Sequence, residues 1–272
     1  MKSTIEYERH QGPGESVVLI HGIGHRRQAW GEVPALLRAH GFDVYVVDLP
    51  GHGDSPAPTR PDGYSMPSTA EQFERLFIRL GLDRPHVLGH SLGGIIALEL
   101  AHRDLVRSAT VYSPAGFFPV HHLPNIAANL LLMKFGSYAP ESLHRRLTNH
   151  AWFRRLAFHS LYTHPERVAP EDAVADTLNL RRAKGFWPHF VRATFLRFAK
   201  DVQVPTTIAW GDTDRLLLPS EAQTARTRLP EAVHVSLPDC GHCPQIDHPE
   251  LVVDVALATL DRVGENDRRR AG

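Results

Sequence analysis

Cysteine and long apolar runs are both scarce in this 272-residue chain. The only two cysteines, Cys240 and Cys243, are too few for a disulfide framework and fit a reducing compartment. No stretch reaches 18 consecutive apolar residues, and residues 1–15 lack the apolar core of a signal peptide. We therefore expect a cytoplasmic protein without a membrane span.

An excess of charge is absent as well, because 30 Lys and Arg residues balance 30 Asp and Glu residues. A nucleic-acid-binding protein usually has a basic patch or arm, so this balance argues against nucleic acid as a partner. The chain is long enough to bury a deep active site. The sequence does not indicate the oligomeric state.

Short apolar runs alternate with helical patterns in both terminal parts of the chain, which is typical of an α/β fold with a mostly parallel sheet. The predicted strands are 16–20, 44–47, 86–88, 110–112, 206–210 and 233–237. The predicted helices of these parts are 30–39, 73–80, 92–101, 220–228 and 249–263. Ser68 and Glu71 have capping-box spacing, which predicts the start of the second helix, and Gly81 is expected to end it.

Residues 116–200 break this alternation and contain helical patterns separated by six prolines. We predict a helical lid here, inserted into a core formed by residues 1–115 and 201–272. Its predicted helices are 125–135, 152–162 and 187–198.

The predicted lid is rich in aromatic and basic residues. It holds nine of the twelve phenylalanines and 12 Lys and Arg against 5 Asp and Glu. The aromatic residues indicate either ordinary helix packing or an apolar substrate chamber. The arginines leave open the alternative that the substrate is anionic. On the second interpretation, Arg192 and Arg197 would favour carboxylate-bearing substrates.

The stretch Gly89-His90-Ser91-Leu92-Gly93 fits the pattern G-x-S-x-G between a predicted strand and a predicted helix. A serine at such a turn has strained backbone angles, and its hydroxyl is held out of the sheet. Ser91 is therefore the candidate nucleophile.

Serine needs a base within hydrogen-bond reach and an acid that orients this base. Among 18 histidines, His242 follows the last predicted strand and precedes a helix, so its loop opens at the same edge of the sheet as Ser91. Asp214 follows the strand that ends near Trp210 and is the candidate acid, with Asp212 as its rival. The order Ser, Asp, His is the order of α/β-hydrolases.

The chain resembles the α/β-hydrolase family in four stretches: "HGIG" at 21–24, "DLPGHGDS" at 48–55, "GHSLGG" at 89–94, and "GDTD" with "GHCPQIDHPE" at 211–214 and 241–250. The resemblance implies a mostly parallel sheet of the eight-stranded type flanked by helices, with the lid after the sixth strand. It also implies the nucleophile Ser91, the acid Asp214 and the base His242.

The resemblance further implies an oxyanion hole formed by the backbone N–H groups of Ile23 and Leu92. Supporting positions are expected at His21, Gly22, Gly24 and His90. The expected activity is hydrolysis of a carboxylic ester in a small-molecule substrate that is largely apolar, without any cofactor or metal.

Other functions remain open at this point. The same triad could hydrolyse C–C bonds, open lactones or form peroxides without a cofactor, and a member of the fold could bind a ligand without catalysis. The C-G-H-C stretch at 240–243 also permits a dithiol oxidoreductase, although its position near the chain's end is not that of a thioredoxin-type motif. A structural zinc site would need four ligands, and without a second cysteine pair only scattered histidines remain to supply them.

Overall fold

The computed structural model of the protein describes residues 5–193 and 195–271. Seven strands are found in these residues: β1 (Tyr7–His10), β2 (Ser16–Ile20), β3 (Asp43–Val47), β4 (His86–His90), β5 (Ser108–Tyr112), β6 (Thr206–Gly211) and β7 (Val233–Leu237). They form one sheet in the order β1-β3-β2-β4-β5-β6-β7. Only β1 runs antiparallel to its neighbour, and the other described pairs are parallel.

The predicted mostly parallel sheet is confirmed, and two details differ. Strand β1 was not predicted, because its sequence YERH is polar and all four residues are at least partly exposed at the sheet edge. The described residues contain seven strands rather than eight. The inserted segment therefore follows the fifth strand, β5, and not a sixth.

Helices cover both faces of the sheet. The α-helices outside the inserted segment are α1 (Val33–Ala39), α2 (Met66–Leu80), α3 (Leu92–His102), α9 (Glu221–Arg228), α10 (Pro244–Asp247) and α11 (Pro249–Ala271). Val17 and Leu19 of β2 pack in one apolar core with α1 and α11, whereas Val18 and Ile20 pack in another with α2, α3 and α9. This division follows the two-residue repeat of a strand, whose successive side chains point to opposite faces.

Helix α2 begins earlier than the sequence predicted. Its cap is Ser65, whose hydroxyl accepts a hydrogen bond from the backbone N–H of Ser68 at 3.3 Å. The predicted capping role of Ser68 is therefore wrong. Pro67 explains the shift, since proline suits the first helical turn, where its missing N–H is not needed. Gly81 ends the helix with a φ of 67°, as predicted.

Among the described residues, five α-helices lie between β5 and β6, and we call them the inserted helices: α4 (Leu123–Gly136), α5 (Glu141–Thr148), α6 (Ala151–Ala157), α7 (Pro170–Arg182) and α8 (Phe186–Ala193). Helix α6 ends earlier than its predicted range, 152–162. Of the predicted range 187–198, position 194 lies outside the described residues, and positions 195–198 are not helical. Across residues 5–193 and 195–271, none of the helices combines the length and apolar character needed to span a membrane.

Candidate active site

Ser91 occupies a sharp turn between strand β4 and helix α3. Its backbone angles are φ 54° and ψ −113°, a conformation that a residue with a side chain rarely adopts. The turn is fixed on both sides, because the Ser91 N–H donates to Tyr112 O at 3.0 Å and Ser91 O accepts from the N–H of Ala115 at 3.0 Å. The hydroxyl is thereby held at the carboxyl edge of the sheet, as expected for a nucleophile elbow.

The glycines on either side of Ser91 allow this turn to form. A Cβ at Gly93 would lie 2.1 Å from Ile20 O, and a Cβ at Gly89 would lie 2.3 Å from Gly93 O. Both distances are far below van der Waals contact with backbone atoms that cannot easily move. The glycines of G-x-S-x-G are therefore required by the close approach of α3 to β2 and β4.

His242 and Asp214 form a buried hydrogen-bonded pair. His242 follows β7 and Asp214 follows β6, and the His242 Nδ1–H donates to Asp214 Oδ2 at 2.8 Å. The other carboxylate oxygen, Oδ1, accepts from the backbone N–H groups of Leu216 and Leu217, each at 2.9 Å. Three donors thus fix the carboxylate, which in turn fixes the His242 ring with its Nε2 free to act as a base. The rival acid, Asp212, is exposed and makes no such contact with the described residues.

Ser91 and His242 line the same cavity. The described residues include no hydrogen bond between the serine hydroxyl and the His242 ring. The two side chains therefore share a cavity but are not hydrogen-bonded to each other. Such hydrogen bonds are often long in the absence of substrate and shorten when it binds.

Two backbone N–H groups near the candidate nucleophile have no hydrogen-bond partner among the described residues, and their residues line a pocket together with Ser91. They belong to Ile23, in the loop after β2, and to Leu92, the first residue of α3. Both residues line a small pocket of about 50 Å³ together with Ser91. A helix N-terminus such as that of α3 attracts negative charge, so these N–H groups can stabilise an anion next to the serine.

His21 joins the loops that follow β2 and β3. Its Nδ1 donates to Gly22 O at 2.7 Å, and its Nε2 accepts from the N–H of Leu49 at 3.0 Å. Burial lowers the pKa of His21 to about 3, so the ring is neutral at physiological pH. Gly22 lies against Ser91, because a Cβ there would be only 3.2 Å from the serine Cβ.

The remaining supporting positions flank the same loop. Gly24 has a φ of 75°, and a Cβ there would lie 2.5 Å from a methyl carbon of Leu180 on α7. His90 donates from Nε2 to His242 O at 2.8 Å and so links the elbow to the histidine loop. Burial, and then the neighbouring His242, hold the pKa of His90 well below its usual value.

A cavity of about 510 Å³ lies over Ser91 and His242. Most of its wall comes from the inserted helices and the loops that join them, through aliphatic and aromatic side chains such as Leu130, Met133 and Phe153. The lining residues that the structure describes include one carboxylate, Asp176, and neither Lys nor Arg. Asp176 accepts a hydrogen bond from Arg26 Nε at 3.0 Å.

This composition contradicts the suggested role of Arg192 and Arg197. Neither residue lines the cavity, although both belong to the basic excess of the inserted segment. The Arg197 guanidinium lies over the ring of Phe118 at 4.9 Å, and Arg192 donates to Pro188 O at 3.2 Å. The excess of basic residues in the sequence therefore does not place positive charge on the described wall of the cavity.

Two features of the site were not predicted from the sequence. Leu216 lines both the large cavity and the small pocket, and its backbone N–H donates a hydrogen bond to Asp214. Glu221 is buried, accepts from His122 Nδ1 at 2.8 Å, and has a pKa that burial raises to about 8. No local motif marks either residue, since both depend on how the loop after β6 meets the inserted segment.

The two cysteines are buried free thiols. Burial raises the pKa of Cys240 to about 12 and that of Cys243 well above its usual value. A redox-active dithiol needs the opposite shift, toward a stable thiolate. The C-G-H-C stretch is thus a poor candidate for a dithiol redox site.

Comparison with known proteins identifies the family of this chain. Residues 15–249 match the model of the alpha/beta hydrolase fold family, and the chain belongs to this family.

Similar proteins include hydrolases of several kinds. The chain is 29% identical over 261 residues to a pimeloyl-[acyl-carrier protein] methyl ester esterase of Aeromonas hydrophila, with 90% of this chain and 94% of that protein covered. It is 25% identical to 2-hydroxy-6-oxo-6-(2'-aminophenyl)hexa-2,4-dienoic acid hydrolase of Metapseudomonas resinovorans, over 96% of this chain and 89% of that protein. The structure of a putative lipase from Acinetobacter baumannii aligns with a TM-score of 0.76 and 23% identity, over 98% and 91% of the two chains. Together these similarities support a hydrolase of this fold.

Proposed function

We propose that this chain is a serine hydrolase that cleaves a carboxylic ester of a small, largely apolar molecule. One observation carries the proposal. Ser91 stands at a strained elbow in the wall of a cavity that it shares with His242, and His242 Nδ1 is bonded at 2.8 Å to the buried carboxylate of Asp214. These are the parts of a nucleophile, a base and an orienting acid in the chain order of the family.

The proposed reaction proceeds through an acyl-enzyme. Ser91 Oγ attacks the ester carbonyl while its proton passes to His242 Nε2, and the N–H groups of Ile23 and Leu92 stabilise the oxyanion. Asp214 stabilises the imidazolium that forms. His242 then protonates the departing alcohol, and a water molecule releases the acid by the same two steps. Each oxyanion donor is expected to lower the barrier by about 3 kcal/mol.

The cavity wall favours a neutral, apolar substrate. A carboxylate-bearing substrate would have to place its charge among aliphatic and aromatic side chains beside Asp176, and the described lining offers it neither Lys nor Arg. Burial of an unpaired charge is strongly unfavourable. The volume of about 510 Å³ is in the usual range for small-molecule sites. We therefore propose that the inserted helices form a lid over a chamber for the apolar part of the ester.

The test is hydrolysis of p-nitrophenyl esters from acetate to decanoate by three proteins: wild type, Ser91→Ala and Ser160→Ala. Ser160 is a matched control, because it is a buried serine that lines the same cavity away from the elbow. We expect turnover by wild type and Ser160→Ala and a loss of at least about 10⁴-fold in Ser91→Ala. Equal turnover by wild type and Ser91→Ala would overturn the proposed nucleophile.

The similarity to a dienoic acid hydrolase makes another reaction of the same triad the second candidate. The absence of turnover on every ester, with Ser91 still labelled by a fluorophosphonate, would favour it. Failure of a folded sample to label would instead favour a ligand-binding protein without activity.

A further inference from the structure

Two histidines and a cysteine meet next to the proposed triad although they are far apart in sequence. His25 lies in the loop after β2, His90 precedes Ser91, and Cys243 follows His242. One possible ligand atom from each residue lies within 4.8 Å of the other two. The rings of His25 and His90 are stacked, with centroids 5.9 Å apart. The proposed hydrolytic mechanism uses none of these three side chains as a reacting group.

Each histidine of this cluster has a buried ring nitrogen, Nδ1, without a hydrogen-bond partner among the residues that the structure describes. His90 Nε2 is bonded to the carbonyl oxygen of His242 at 2.8 Å, and because a carbonyl only accepts, Nε2 carries the proton. His90 Nδ1 is then an acceptor, and it is buried without a hydrogen-bond partner, in a side chain that is only 1% exposed. His25 Nδ1 is likewise buried without a partner. Such groups are unusual in a folded protein, since each costs about 1–3 kcal/mol.

The cluster has the donor set that Zn²⁺ prefers, namely thiolate sulfur and neutral imidazole nitrogen. In a tetrahedral site with Zn–N near 2.1 Å and Zn–S near 2.3 Å, ligand atoms stand roughly 3.4–3.6 Å apart. The observed separations of up to 4.8 Å require the three side chains to approach by about 1 Å. His25 lies in a loop and is only partly buried, so it can supply most of this movement.

We propose that His25, His90 and Cys243 form a binding site for Zn²⁺, and that occupation of this site inhibits hydrolysis at Ser91. On binding, the Cys243 thiol releases its proton to solvent, one Zn–S and two Zn–N bonds form, and five of the six water ligands leave the hydrated ion. One position stays open for water. The site then gains one net positive charge.

The inhibition follows from position and rests on the proposed function. His25 and His90 line the same cavity as Ser91 and His242, and the His90 ring centroid is 4.8 Å from that of His242. An ion held by these two histidines, with its remaining water, would therefore stand at the cavity wall next to the proposed nucleophile and base and obstruct the ester.

Metal binding is tested first and separately from activity. Metal-free wild type, Cys243→Ala and Cys240→Ala are titrated with Co²⁺, followed by absorbance, and with Zn²⁺, followed by calorimetry. Cys240 is the matched control, because it is an equally buried free thiol three positions earlier. We expect wild type and Cys240→Ala to bind one ion with a sulfur-to-cobalt charge-transfer band. Cys243→Ala should lack this band and bind Zn²⁺ at least about 100-fold more weakly.

Circular dichroism of the metal-free proteins checks folding. If Cys243→Ala does not fold, His25→Gln replaces it, with the same expected loss of affinity. The absence of a sulfur-to-cobalt band in wild type would overturn the site. So would an unchanged band and an unchanged Zn²⁺ affinity in both Cys243→Ala and His25→Gln.

Inhibition is tested with the best ester from the series. Zn²⁺ should suppress turnover by wild type and Cys240→Ala, a chelator should restore it, and Cys243→Ala should keep its turnover in Zn²⁺. Binding through Cys243 without any change in turnover would overturn the inhibitory role. Binding by a protein that hydrolyses no ester would leave the zinc site standing and count against the proposed function alone.

Discussion

Replacement of Asp214 by Asn tests how the structure activates the proposed base. Asp214 Oδ1 accepts from two backbone N–H groups, those of Leu216 and Leu217, and Oδ2 accepts from His242 Nδ1. An asparagine keeps the two backbone hydrogen bonds only if its oxygen faces them, which turns its NH₂ group toward His242. The ring must then accept at Nδ1 and carry its proton on Nε2. In this tautomer His242 cannot take the proton of Ser91.

The expected loss in kcat is about 10⁴-fold, equivalent to about 5 kcal/mol of barrier, because the geometry is kept and only the tautomer is wrong. The assay is turnover of a p-nitrophenyl ester, together with the rate at which a fluorophosphonate labels Ser91, and both should fall. The melting temperature should change little, since the asparagine retains the backbone contacts of the loop.

Asp212→Asn is the matched control, as Asp212 is the neighbouring exposed carboxylate and the rival acid from the sequence. It should keep turnover within about threefold of wild type, in line with an exposed side chain remote from the chemistry. A larger loss in Asp212→Asn than in Asp214→Asn would refute the assignment of the acid.

Three further predictions concern pH, the elbow and the cavity. Burial raises the pKa of Glu221 from 4.5 in the unfolded chain to about 8 in the folded protein. The contribution of this group to the free energy of unfolding is therefore fully present below pH 4.5 and is lost as the pH rises through 8. In urea unfolding, the free energy of unfolding of Glu221→Gln should therefore rise relative to that of wild type by up to about 1 kcal/mol per pH unit across this window. A difference between the two proteins that does not change with pH would contradict the raised pKa. Gly93→Ala should lose at least about 4 kcal/mol of stability or fail to fold, because its Cβ would meet Ile20 O at 2.1 Å; a melting temperature near that of wild type would show that α3 can move away. Ala157→Trp, which enlarges a side chain in the cavity wall, should reduce kcat/KM for decanoate far more than for acetate, and equal effects would place the acyl chain elsewhere.

The sheet and the position of the elbow could be predicted because their signals are local. A buried parallel strand is a short apolar run, and the Ser91 turn needs its glycines at fixed positions. Strand β1 was missed because an exposed edge strand does not need apolar residues, and YERH has none of the usual pattern. The start of α2 was misplaced because Ser65 and Ser68 are both possible caps, and the choice depended on Pro67.

The residues that line the cavity could not be predicted, because they are brought together by tertiary contacts that the spacing of residues in the sequence does not indicate. The basic residues of the inserted segment suggested a positive chamber, but Arg197 lies on the ring of Phe118 and not on the cavity. In the same way, His25 follows β2, His90 is the last residue of β4, and Cys243 follows β7, and the three meet only because these strands end at one edge of the sheet.

The most direct measurement of the central claim is the mass of the intact protein after reaction with a fluorophosphonate, followed by location of the adduct in peptides. The proposed triad predicts one adduct per chain, on Ser91, formed rapidly by wild type, much more slowly by His242→Ala, and not at all by Ser91→Ala. An adduct on another residue such as Ser160, or none on the folded wild type, would contradict a serine nucleophile at this elbow.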